Sequence, residues 1–132
     1  VKIKGKNHIY ETLPPFMGNR QLPKDEQIVI GLKVVSLPEQ DAYQREAMAI
    51  RSDYALDKAQ ELVEEKSRDL VRGKFVSIEG LEIEGIDNLD FDTFYNEAPP
   101  ELVSWVVRAV MSTTELSLAE RKNFLPESGS PS

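Results

Sequence analysis

Five carboxylates crowd into LEIEGIDNLDFD, residues 81–92: Glu82, Glu84, Asp87, Asp90 and Asp92. Oxygen donors in that number are what a hard cation takes, and a metal-assisted hydrolase built on Glu82, Glu84 and Asp90 is one chemistry they allow. Their spacing is not that of a calcium loop, which needs carboxylates at alternate positions, a glycine and a closing bidentate glutamate. The alternation Leu81, Glu82, Ile83, Glu84 instead suits the apolar and wet faces of a strand. The single histidine, His8, has no second imidazole or thiol to work with, because the chain has no cysteine. Transition-metal sites and Ser-His pairs therefore lack their parts. Gly73, Gly80 and Gly85 show neither the GxGxxG nor the GxxxxGK spacing of a phosphate loop. Trp105 and Tyr95 suit a core better than a ligand platform. No catalytic residue, cofactor or metal is expected.

The elements that must position these residues follow from periodicity. EQIVIGLKVVS, 26–36, puts Ile28, Ile30, Leu32 and Val34 on one face, as a half-buried strand requires. Pro38 suits a first helical turn, with Glu39 and Asp41 where the helix dipole favours acids, so a helix is expected over 39–72, stopped by Gly73. Its apolar stripe shifts by one position near Arg51, where Ser52 could cap a second helix and split the element near 51–53. In KFVSIEGLEIEG, 74–85, the apolar parity changes across Glu79-Gly80, which predicts a hairpin over 74–84 with Val76, Ile78, Leu81 and Ile83 on one buried face; a bulge at Gly80 is the alternative. Asp90 caps a short helix over 90–97, Ala98 to Pro100 break it, and a mostly buried helix carrying Trp105 follows over 100–115. Ser117 and Glu120 have capping-box spacing for a last helix over 117–125, and PESGSPS, 126–132, reads as a flexible polar tail. The whole is a single α+β domain over 1–125, a small antiparallel sheet packed with helices, which includes an extended N-terminal arm over 1–24 with turn chemistry in LPPFMG.

Charge is placed unevenly. No Lys or Arg lies between Phe75 and Val107, so the acids there account for more than the whole net charge of −7. A nucleic-acid backbone would be repelled by that segment. No apolar run approaches the roughly 20 residues of a membrane helix, and the start VKIKGKNHIY lacks a signal-peptide core. A cytoplasmic compartment is expected, without nucleic acid or membrane. Lys2, Lys4 and Lys6 in the arm are expected to meet Glu84, Asp87, Asp90 and Asp92 of a neighbouring copy, with Trp105 in the core or a self-contact. A solvated arm is the plainer alternative.

The succession KFVSIEGLEIEG, LDFDTFYNEAPPELVSWVVRAVMS and LSLAERKNFLPESG resembles the tail assembly chaperones of long-tailed bacteriophages and prophages over about the C-terminal half of the chain. The resemblance implies a non-enzymatic late protein that oligomerises in the cytoplasm of the bacterial host. It would coat the tape measure protein and help recruit tail tube protein, and it would be missing from the mature virion. LPPFMG and DEQIVIGLKVVSLPEQ map onto no motif of that family. A phage connector or other structural protein is the alternative from the particle itself.

Overall fold

A computed structural model describes residues 1–112. Three strands, β1 (Tyr10–Thr12), β2 (Val29–Leu32) and β3 (Phe75–Glu79), form an antiparallel sheet in the order β1-β2-β3. Four α-helices accompany it: α1 (Leu37–Asp53), α2 (Leu56–Lys74), α3 (Phe91–Glu97) and α4 (Pro100–Met111). This is the expected α+β class.

The expected alternation in the central strand holds. Ile28, Ile30, Leu32 and Val34 are all buried, and the sheet's inner face also carries Tyr10 and Thr12. Phe91 and Phe94 of α3 and Leu102, Val106, Ala109 and Val110 of α4 close the core over it, with Val71 from α2. Phe75 lies 5.3 Å from Phe94 in a stacked pair and 5.4 Å from Phe91 edge to face, which ties β3 to α3.

The hairpin expected over 74–84 is absent, and no bulge sits at Gly80. β3 pairs only with β2: Ile78 faces Ile30 and Phe75 faces Leu32. Three residues of β3 thus span the interval that Gly31 and Leu32 span on β2, so the irregularity lies at Val76. It turns both Phe75 and Ile78 inward and leaves Val76 43% exposed. At the end of β3, Gly80 takes φ +80° against Gln27, where a Cβ would collide with the Gln27 carbonyl oxygen. The chain leaves the sheet there, and residues 81–89 cross the core's rim as a loop.

The long helix is two. The break falls at Tyr54 and Ala55, and Ser52 belongs to the last turn of α1. Ser36 caps α1 in a full capping box with Glu39. α2 runs through Gly73 to Lys74 because β3 follows directly, so Gly73 is no C-cap. Of the expected arm, residues 10–12 are strand β1 and residues 16–21 and 24–26 are 3-10 turns. Thr12 Oγ1 donates to Ile30 O at 2.8 Å. Asn19, 1% exposed, donates to Pro14 O (3.0 Å) and Ile28 O (2.9 Å) and accepts from Ile28 N (2.6 Å). That side chain fastens the proline turn to the entry of β2. Residues 1–7, which lie outside every strand and helix, form an unbroken exposed run. The expected helix over 117–125 and tail over 126–132 lie outside the described residues, as do residues 113–115 of the helix expected to reach 115.

Candidate interaction surfaces

The acidic segment divides into residues engaged by the fold and residues left for solvent. Asp90 caps α3 by accepting from Thr93 N at 2.8 Å, and the hydrogen bonds from Thr93 hold its carboxyl below the ordinary aspartate range. Asp92 accepts from Arg72 Nε (3.1 Å) and Nη2 (2.8 Å), and Arg72 also reaches Asp69. Hydrogen bonds to Asp92 and Asp69 raise the Arg72 pKa further, and its guanidinium stands 5.6 Å from the centre of the Phe91 ring. Both aspartates therefore hold α3 in place. Glu82, Glu84 and Asp87 are exposed and take part in no ion pair among the described residues. They rim an open depression of about 590 Å³ whose floor includes Leu81, Ile83 and Leu89. Leu81, Ile83 and Leu89 also rest on the core.

Lys2, Lys4 and Lys6 are exposed and unpaired among the described residues. The strand register fixes where the basic and acidic segments join the sheet. Tyr10 opens β1 opposite Leu32, which is opposite Phe75, the first residue of β3; Glu79, the last, is opposite Val29. The basic segment therefore enters the sheet at one corner, and the acidic segment leaves from the diagonally opposite one.

Trp105, expected in the core or a self-contact, is half-buried and packs against the core, whereas its neighbour Val106 is 0% exposed. Its helix turns Leu102, Val106 and Ala109 inward, and Trp105 lies a quarter-turn away. It lines a groove of about 460 Å³ between α4 and the turn of Pro14, Pro15 and Phe16. Beside the groove, Met17 takes φ 49° and is 83% exposed. Sequence reading marked LPPFMG as a turn and missed that it walls the tryptophan.

A third surface is the end of the α1-α2 hairpin. The core takes Leu70 and Val71 from α2 and nothing from α1. The hairpin's seam is Ala47, Ala59 and Val63, small enough for close helix approach. Around its turn Met48, Tyr54 and Leu56 stand 69%, 49% and 73% exposed.

No family model, curated protein or solved structure matches the chain. Among the described residues, no three His, Cys, Asp or Glu side chains gather as a metal ion needs, and no helix is long and apolar enough to cross a membrane. What the arrangement offers chemically is contact: a basic strand-like segment, an acidic depression, an aromatic groove and an apolar helical tip, each in a different place.

Proposed function

We propose that this chain is a self-associating assembly protein of the tail assembly chaperone kind. It works without catalysis or cofactor in the cytoplasm of a bacterial host, joins into open-ended oligomers, coats the tape measure protein and helps gather tail tube protein before leaving the finished particle. The observation that carries the physical part of this reading is that the segments bearing the exposed Lys2, Lys4 and Lys6 and the exposed Glu82, Glu84 and Asp87 join the sheet at diagonally opposite corners. Two different patches that complement each other make a heterologous contact, which continues from copy to copy until it closes or runs on. Coating a long partner needs that mode. The phage role itself rests on the resemblance, of which the acidic turn, the short aromatic helix, the proline break and the apolar helix are present and the hairpin is not.

Sedimentation velocity over a range of concentrations tests the reading. The expected result is growth through several sizes, weakened as salt rises, since exposed charge contacts are screened over about 8 Å at physiological ionic strength. A strict monomer at every concentration and salt would overturn it. Recovery of the chain from mature virions would favour a particle component over a chaperone.

A further inference from the structure

The stretch LEIE, 81–84, keeps the two-residue alternation of a strand and yet pairs with no strand among the described residues. Leu81 and Ile83 are half-buried, Glu82 and Glu84 exposed. Among the described residues the one hydrogen bond to its backbone is Ile86 N donating to Ile83 O at 3.0 Å. A row of backbone donors and acceptors beside an apolar floor is the template that an added strand uses.

The same alternation appears with the opposite charge in VKIK, 1–4, all four of whose residues are exposed. Ile3 is 69% exposed, so most of its apolar side chain is left to solvent. We infer that residues 1–5 of one copy add as a strand to residues 81–85 of a second copy, converting LEIE into the strand its sequence describes. In the antiparallel register Ile3 meets Ile83 while Lys2 faces Glu84 and Lys4 faces Glu82. Residues directly opposite share a face, so the apolar pair turns toward the depression and both ion pairs lie on the wet side. The inference rests on the open-ended association above and deepens it: specificity comes from the alternation, direction from the two segments being different, and propagation from each copy carrying one of each. Asp90 and Asp92 take no part, because α3 already holds them.

A charge exchange in the full chain is the test. Lys2→Glu with Lys4→Glu makes one variant, and Glu82→Lys with Glu84→Lys makes another; all four positions are exposed, so folding is expected to be unaffected, which circular dichroism checks. Each variant alone should associate at least about tenfold more weakly than the parent, the equivalent of about 1.4 kcal/mol. An equimolar mixture of the two, and a single chain bearing all four changes, should both recover the parent's association. Ile3→Pro, which removes a backbone donor from the adding strand, should weaken it while leaving every charge in place. Isotope-exchange mass spectrometry should show the 81–84 amides gaining protection as concentration rises. Variants that associate like the parent, or a mixture that fails to recover association, would overturn the strand addition while leaving the wider reading to another contact. Protection of 81–84 in a chain that stays monomeric would place the arm in its own copy and equally overturn it. A parent that never associates would remove both.

Discussion

Lys74 Nζ lies 2.5 Å from Glu39 Oε2, joining the last residue of α2 to the first turn of α1. Its side chain is only 11% exposed against 34% for Glu39, so the ammonium depends on that carboxylate more than the carboxylate depends on it. Glu39 also closes the capping box, with Ser36 N and Oγ donating to its Oε1. Partial burial pushes the Glu39 pKa up, but the hydrogen bonds from Lys74 and Ser36 outweigh it and leave the value below the ordinary 4.5. Glu39→Gln keeps a side-chain oxygen that can accept from Ser36 and removes the charge. It should lower stability at neutral pH by about 1–2 kcal/mol, less than a fully buried pair because Glu39 still meets solvent. A carboxyl with a lowered folded pKa contributes stability above its unfolded pKa and loses it as pH falls through the folded one. The gap between parent and variant in urea melts should accordingly narrow below pH 4.5. An equal gap at pH 7 and pH 3 would contradict the ion pair.

How much of this was legible in the sequence depends on the range of the interaction. Asp90 as the cap of α3, the proline break and the alternation of Ile28 to Val34 are local patterns, and each is where the sequence put it. The hairpin failed because parity alone cannot tell a turn at Gly80 from a bulge at Val76; what decides is the pairing of Ile78 with Ile30 and Phe75 with Leu32, strands more than forty residues apart. Strand β1 went unseen for the same reason, since Tyr-Glu-Thr carries no signal without β2 beside it. Of the interaction residues, Lys2, Lys4, Lys6, Glu84 and Asp87 are exposed as a contact surface requires, while the engagement of Asp92 by Arg72 spans twenty residues and left no local trace.

Asn19 should behave as a buried clamp. Asn19→Ala leaves Ile28 N, Ile28 O and Pro14 O short of one partner each, and a loss of about 2 kcal/mol is expected from unsatisfied buried groups. Asn19→Asp should be no better, because a carboxylate can accept from Ile28 N but faces the two carbonyl oxygens as an acceptor. Limited proteolysis should then cut within residues 13–27 before the rest of the chain. Unchanged melts and cutting would show that the turn is not fastened there.

Gly80 and Gly85 make a matched comparison, with φ +80° and +84°. Alanine at Gly85 meets open space, so only the left-handed backbone penalty of about 1 kcal/mol applies. Alanine at Gly80 adds a collision with the Gln27 carbonyl, and β2 must move. Gly80→Ala should cost at least twice as much in a thermal or urea melt; equal costs would mean the close approach to Gln27 is not maintained.

The position of Trp105 sets a further contrast with Phe94. Phe94 is fully buried against Phe75, and Phe94→Ala should cost about 3–5 kcal/mol. Half-buried Trp105 should cost about 1–2 kcal/mol on the same change, because less area leaves water and no closed cavity remains. Val106→Asp should prevent folding by burying a charge at a 0% exposed site. The protein's single tryptophan also reports directly: its fluorescence should be quenched measurably by acrylamide in the native state. Emission fully shielded until unfolding would return Trp105 to the core.

The helical hairpin should be the least stable described helical region, because its distal part holds only to itself. Stability within a domain varies with the number of buried apolar contacts, and past Val63 toward the turn those reduce to Ala47 and Ala59. Amides around 48–58 should exchange faster than those of α4, whose Leu102, Val106, Ala109 and Val110 are fully buried. Leu56→Gln, at 73% exposure, should change global stability by no more than about 0.5 kcal/mol. Ala59→Leu should instead cost about 1–3 kcal/mol and speed exchange in both helices, since a larger side chain at 2% exposure forces the seam apart. If exchange across 48–58 proved as slow as in α4, the tip would have to be covered in solution, and self-association through Met48 and Leu56 would be the first place to look.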